Sequence, residues 1–288
     1  MTDGQTFYLL LIGLYLFTGL KTGTKDAIVL KKKMNFKKGW SLDHPFAYMA
    51  GTKKSLFFSH FSPLYSYSIL VNQEGKDTSK IITPKHLKSI INVISRAASR
   101  IRFLTFIVFY LYFIVIPLFY LKYGDTPTTY IAILIALISP IFAATCFFKT
   151  HKKLAPDESE TRWKHSFYAI LMPWHAMRLA DFLFENPHFQ KIHPLSYASL
   201  PDDLNSKNYL SQQYRNTLHL KNSLYSELEF RELFKVSSIT PKELMIPPTP
   251  EDSTEVQYCP CCNTLYTIKM DYCSECDNLP LVKIASQK

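Results

Sequence analysis

The chain has 288 residues, of which 47% are hydrophobic, 15% aromatic and only 19% charged, and 33 Lys+Arg against 23 Asp+Glu leave it at +10. This composition excludes an intrinsically disordered chain and a collagen-like one. It leaves open whether the positive excess meets nucleic acid or a membrane, because an average hides segregation.

In chain order, the first feature is Phe7 to Leu20, 14 residues without a charge. A helix rises about 1.5 Å per residue and a hydrocarbon core is about 30 Å thick. The run therefore spans only if Thr6, Lys21 and Thr22 extend it and Lys21 snorkels. A cleaved signal peptide fits poorly: Asp3 precedes the run, lysines follow it, and no Ala-x-Ala site lies near residue 20. Residues 1–22 read as an uncleaved transmembrane anchor, with a buried or interfacial helix as the alternative.

Residues 23–82 read as a basic, β-rich region on the cytosolic side. Ala27 to Leu30 and Ser66 to Val71 favour strands through β-branched and aromatic content. Phe46 to Met49 and Phe57-Phe58 add short ones. Gly51, Ser62-Pro63 and Asn72 to Gly75 punctuate them. The expected product is a small sheet near the membrane face; the alternative is a solvated loop with scattered strands.

Thr83-Pro84 predicts a helix start, a hydroxyl N-cap followed by Pro at the first helical position. Leu87, Ile90, Ile91, Ile94, Ala97, Ala98 and Ile101 recur at helical spacing, with Lys85, Lys88, Arg96 and Arg100 among them. Residues 83–101 thus form a basic amphipathic juxtamembrane helix suited to anionic inner-leaflet lipids, or a helix packed on its own domain. Residues 102–148 hold two charge-free runs of 19 residues, Phe103 to Leu121 and Tyr130 to Phe148. Each is long enough to span, so together they predict a transmembrane helical hairpin.

Lys and Arg collect on cytosolic flanks. Residues 21–101 hold 15 of them against Asp26, Asp43, Glu74 and Asp77, which is +11, and Lys149, Lys152 and Lys153 follow the third run. The consistent topology is a multi-pass protein of the cytoplasmic (inner) membrane, with N-terminus outside, C-terminus in the cytosol and the lipid bilayer as a partner.

Residues 149–236 read as a cytosolic helical region. Trp163, Phe167, Ile170, Leu171, Trp174, Met177, Leu179 and Phe182 mark a helix that Pro173 kinks, either interfacial or buried. Two more helices follow over 201–221 and 224–236, with Ser199 and Asp202 resembling a capping box. Residues 237–257, with Pro241, Pro247, Pro248 and Pro250, read as a semi-rigid linker.

The sharp motif lies in 258–288. Cys259-Pro260-Cys261-Cys262 and Cys273-Ser274-Glu275-Cys276 are two C-x-x-C pairs, ten residues apart. Two such turns joined by a hairpin complete a tetrahedral S4 site. Residues Thr264 to Ile268 between them are strand-like, and turn amides supply hydrogen bonds to the thiolates. Asn263 and Asp277 follow the two knuckles and tolerate left-handed backbone better than most residues. Residues 259–281 resemble the short zinc ribbons found at the ends of prokaryotic proteins, with Tyr272 before the third cysteine and Leu279 and Leu281 closing the tiny core. For residues 1–258 no family resemblance is evident. The resemblance implies one structural Zn2+ held by Cys259, Cys262, Cys273 and Cys276; iron and disulfides are the alternatives. Cys261 is an extra thiol, and Cys146 reads as an apolar packer.

No catalytic residue stands out. The chain has only eight glycines and no phosphate-binding G-x-G-x-x-G or P-loop pattern. His44, His175, His188 and His193 show no H-E-x-x-H pattern, and Asp181 with Glu185 reads as a solvated pair rather than an acid–base couple. The overall fold class is therefore membrane α-helical with mixed α+β cytosolic parts: three transmembrane helices, a β-rich juxtamembrane region, a helical region and a zinc ribbon. The first functional reading is a non-catalytic anchor or assembly protein whose ribbon meets a cytosolic protein partner. The alternative is a membrane enzyme acting on lipid or envelope precursors at the cytosolic face. Nucleic acid is disfavoured, because Lys269 and Lys283 face Asp271, Glu275 and Asp277 in the ribbon; an oligomer is compatible with the sequence.

Overall fold

Two long helices, antiparallel and in contact, organise the molecule, whose computed structural model describes residues 3–24, 27–33, 39–43, 47–48, 54–58, 68–71, 79–185, 191–248, 256–276 and 279–284. Gly51, Ser62-Pro63, Asn72 to Gly75, His44, His188 and Asp277 lie outside the described residues.

The first long helix, α2 (Pro84–Tyr110), starts as its sequence dictates. Thr83 accepts a hydrogen bond from the His86 amide at 3.2 Å, and Pro84 needs no donor at that position. It continues through a π-helical turn, Leu111–Val115, into α3 (Ile116–Tyr123). The wide turn precedes Pro117, whose ring would strike the carbonyl of Phe113 in a regular α-helix. Gly124, at φ +61°, ends the rise, and α4 (Pro127–Leu154) returns.

The buried face of α2 is Leu87, Ile91, Ile94, Ala98, Ile101, Thr105 and Val108, spaced alternately four and three. α4, which packs on both α2 and α5 (Ser159–Leu171), buries Thr129, Ala132, Ala136, Pro140, Ala143, Ala144, Phe147 and His151. Small residues let the backbones approach, as at helix contacts inside membranes. Much large apolar surface points outward as well: Leu121, Leu134, Leu137 and Phe142 are all exposed. These two helical stretches, Pro84–Tyr123 and Pro127–Leu154, are long and apolar enough to cross a membrane.

The first apolar run is helical as α1 (Asp3–Thr18), but it stops short. Lys21 and Thr22 do not prolong it; they enter strand β1 (Leu20–Thr24). Sixteen residues give about 24 Å of helix, so the described residues contain two membrane-length helical stretches, and the expected three spans are not established. α1 packs Tyr15 against Phe109 and Phe113, with ring centroids 5.5 and 5.7 Å apart.

The β-rich region forms two small antiparallel sheets. β2 (Ile28–Lys33) is central between β3 (Gly39–Asp43) and β6 (Ser68–Val71). β5 (Lys54–Phe58) lies between β1 and β4 (Ala47–Tyr48). Ile28, Leu30, Leu42, Ile69 and Val71 join one apolar cluster with the lower part of α2. That sheet is therefore a packed layer and not a solvated loop.

The segment read as one kinked helix is four pieces: α5 (Ser159–Leu171), α6 (Pro173–Ala176), α7 (Leu179–Phe182) and a 3-10 turn, Leu183–Glu185. Each alternative fits one half. α5 exposes Trp163, Phe167, Ile170 and Leu171, whereas Ala176, Met177, Leu179, Leu183 and Phe184 are buried. Then follow α8 (Pro194–Ala198), α9 (Leu204–His219), α10 (Glu227–Val236) and α11 (Pro241–Leu244). The cap of α9 is Asp203, which accepts from the Ser206 amide at 2.9 Å; Ser199 instead ends α8. The expected Ser199–Asp202 box is thus replaced by a cap at Asp203, four residues after Ser199.

Candidate metal centre

The C-terminal module is built on three two-residue strands in the order β8 (Leu265–Tyr266), β7 (Gln257–Tyr258), β9 (Val282–Lys283), all antiparallel. So small a sheet cannot stand on its own burial. Its interior is sulfur: Cys259, Cys261 and Cys273 are buried, with Cys262, Cys276, Tyr266, Leu279 and Leu281 packed around them.

Both C-x-x-C turns have the same local geometry. The Cys261 amide points at Cys259 Sγ and the Glu275 amide at Cys273 Sγ, each at 3.4 Å. Asn263 closes the first turn at φ +63°, while its amide donates to the Cys259 carbonyl at 3.0 Å. Asn is one of the few residues that holds this conformation without strain. The Cys273 amide donates to the Leu279 carbonyl at 2.8 Å, which locks the second turn onto the closing strand.

These turns bring the four thiols of Cys259, Cys262, Cys273 and Cys276 within 4.8 Å of one another, and the Cys262–Cys273 pair stands at 3.7 Å. A tetrahedron of sulfurs around an ion with bonds of about 2.3 Å has edges of about 3.8 Å. The cluster can therefore hold a metal ion. A disulfide needs sulfurs about 2.05 Å apart, and all six cysteines are free. Among the described residues, this is the group of His, Cys, Asp and Glu side chains that brings three or more ligand atoms together.

Electrostatics point the same way. Burial pushes the Cys259 thiol up to about 11 and raises that of Cys276. At Cys273 burial acts in the same sense, but the Tyr266 hydroxyl, 3.2 Å from its sulfur, and the Glu275 amide outweigh it and bring the thiol down to about 7. Four crowded thiols cannot all ionise unaided; a cation is what makes four thiolates affordable.

The module is docked on the helical region, and sequence reasoning missed how. Arg215 of α9 is 2% exposed. Its guanidinium donates to the Pro260 carbonyl at 3.2 Å, the Ile246 carbonyl at 2.6 Å and the Asn263 side chain, and its Nε to Ser211 Oγ at 3.2 Å. Cys261 is buried in the same sulfur interior but is not one of the four candidate ligands; its thiol donates to Asn216 Oδ1 at 3.3 Å. Leu220 packs beside it. The Pro-rich stretch is held over its first part, with Leu244 buried and its carbonyl accepting from Ser211 Oγ at 2.5 Å. Residues 249–255 are outside the described set. No motif announces Arg215, because two of its four partners are backbone carbonyls and the others are an ordinary Ser and Asn.

The other polar candidates are accounted for locally. Asp181 pairs with Arg178 at 3.5 Å, and that guanidinium lies 4.2 Å above the Tyr15 ring. His193 caps α8 by accepting from the Leu195 amide at 3.2 Å, so its other nitrogen carries the proton and donates to Glu229 at 2.8 Å. That pair borders a cavity of about 600 Å³, but an imidazole whose lone pair is spent on an amide is no general base. His175 meets His165 at 3.1 Å, and both stack on Phe182. Comparison with protein-family models, curated proteins and solved structures finds no match to this chain.

Proposed function

We propose that this is a multi-pass protein of a cytoplasmic membrane, with a non-catalytic role in anchoring or assembly. Its C-terminal module is a structural zinc ribbon that meets a cytosolic protein partner. The observation that carries the membrane reading is the outer surface of the long helices, where Leu121, Leu134, Leu137 and Phe142 are exposed while α4 buries mostly small residues. A soluble protein does not leave so large an apolar surface to water. The +11 segment before the hairpin and the lysines after it favour a cytosolic location for both flanks, with the N-terminus outside.

A four-thiol shell suits zinc or iron, and zinc is proposed because residues 259–281 resemble short zinc ribbons. With all four positions taken by protein, the metal has no place for water or substrate and serves the fold. The surface docked on α9 is occupied by the chain itself. The remaining surface exposes Ile268 (73%), Met270, Tyr272 and Val282, more apolar side chain than a solvated knob needs, and this supports a protein partner.

Three measurements test the reading. Elemental analysis of the purified protein should return one zinc per chain; a metal-free protein with oxidised cysteines overturns the ribbon. A reporter at residue 288 should read cytosolic, and an exported signal overturns the topology. Cross-linking in cells should capture a partner whose yield falls in Ile268→Glu/Tyr272→Glu; an unchanged partner set removes the interaction role.

A further inference from the structure

Between α2 and α4, at one end of their apolar runs, lies a cleft of about 490 Å³ lined by Arg96, Arg100, Lys149 and Lys153 over Ala97, Cys146, Thr150 and Leu154. We propose that this cleft binds the headgroup of an anionic phospholipid, with its phosphate among the four cations. The proposal rests on the membrane reading above and assigns that reading a specific lipid site.

The sequence arithmetic puts the charges there. Arg96 and Arg100 are one helical turn apart, as are Lys149 and Lys153, so each pair shares one face of its helix. Because the helices are antiparallel, the start of one apolar run lies beside the end of the other, and the two faces meet. All four side chains are exposed, and no acidic residue lines the cleft. Among the described residues none of the four forms an ion pair. The end of α4 contributes roughly half a unit of negative charge, which four full positive charges outweigh. Basic pockets between membrane helices on the cytosolic side are the usual seat of acidic headgroups.

Shape distinguishes a lipid from a free anion. Phe103 lies three residues beyond Arg100, and Phe142 lies four before Cys146, so each continues its own face of the cleft toward the apolar run. Both rings are strongly exposed. A ligand with a phosphate in the cleft would lay acyl chains along Phe103 and Phe142. Inorganic phosphate has nothing to place there.

The test uses the full-length protein in detergent micelles, examined by native mass spectrometry with added phosphatidylglycerol, phosphatidylcholine or glycerol phosphate. Wild type should retain phosphatidylglycerol over phosphatidylcholine, with glycerol phosphate a poor competitor. Each basic residue at an anionic surface is worth about a fivefold gain in binding. The variant R96Q/R100Q/K149Q/K153Q should therefore lose the preference by about tenfold or more, while K235Q/K242Q keeps it. If the fourfold variant fails to fold, R96Q/R100Q and K149Q/K153Q should each show part of the loss. Equal retention of both lipids by wild type, a preference that survives the substitutions, or full competition by glycerol phosphate each overturns the lipid site. Alkaline carbonate extraction separates the two readings. Release of wild type from membranes ends the membrane reading itself, whereas retention without a lipid preference ends only this site.

Discussion

The helical hairpin and the cysteine module meet the same requirement with opposite means. The returning helix α4 buries mostly small residues and turns Leu, Ile and Phe outward, so its stability depends on what surrounds it. The module gathers its cysteines inward, where they could hold an ion. An apolar solvent would make the first arrangement favourable and an ion the second. Between them lies a helical region, and Arg215 is its grip on the module.

The largest effect should come from emptying the module. Structural zinc contributes about 10–16 kcal/mol in zinc-finger peptides near pH 7. Cys259→Ser with Cys276→Ser should abolish metal content and make residues 256–284 sensitive to protease, while the helical circular dichroism of the hairpin persists. A module that stays protected without metal would show that it has an apolar core after all.

Next in size is Arg215→Met. It leaves the Pro260 and Ile246 carbonyls and the Asn263 side chain facing an apolar stem. Stripping a buried hydrogen-bonded charge from its partners costs roughly 3 kcal/mol. The module should keep its zinc yet exchange amide hydrogens independently of α9. Retained coupling would place the docking energy in Leu220 and Leu244 instead.

A third difference shows with acid. His175 is held down to about 4, chiefly by burial and then by His165 and Lys164. The unfolded chain takes up this proton near pH 6.5, where the folded chain refuses it. Stability from this group is therefore complete above about pH 6.5 and falls as pH drops toward 4, by up to about 3 kcal/mol. His175→Phe, which preserves the stack on Phe182, should flatten that part of a stability-against-pH curve. An unchanged curve would assign the acid sensitivity to other groups.

The hairpin offers a smaller and more diagnostic contrast. Ala136 is fully buried, and Leu134, two residues away, is exposed. Ala136→Leu should overpack the helix contact and cost about 1–3 kcal/mol, while Leu134→Ala in a micelle should stay within about 0.5 kcal/mol. A hairpin packed through the Leu134 face would give the reverse order, so thermal unfolding of the two variants decides which face is buried.

How much of this was legible in the sequence follows from the range of the forces involved. Thr83-Pro84, the two charge-free runs and the C-x-x-C pairs are local patterns, and the structure realises all three. The extent of the first helix was not legible, because Lys21 reads equally well as a snorkelling end or as the start of β1 and only pairing with β5 decides. The cap of α9 moved from Ser199 to Asp203 because Ser199, Asp202 and Asp203 all carry capping side chains. Arg215 was invisible for a different reason. It bonds to carbonyls 31 and 45 residues away, and a carbonyl has no sequence signature.

The same limit applied to the first knuckle, where three thiols crowd into four residues. Spacing favours Cys259 and Cys262, since ligation by both Cys261 and Cys262 would strain the turn. Geometry separates them: the Cys261 thiol faces Asn216 of α9, while its amide faces Cys259 Sγ. Cys261 thus lies between the docking surface and the four-thiol group, and its thiol bonds to Asn216 of α9. Cys261→Ala should then leave zinc at one per chain and loosen docking by about 1 kcal/mol, the worth of one weak hydrogen bond. Cys262→Ala should lose the ion. If Cys261→Ala is the variant that loses it, the two thiols have exchanged places, and Arg215, which grips the carbonyl of Pro260 and the side chain of Asn263 on either side of them, would have to release the knuckle for that exchange to occur.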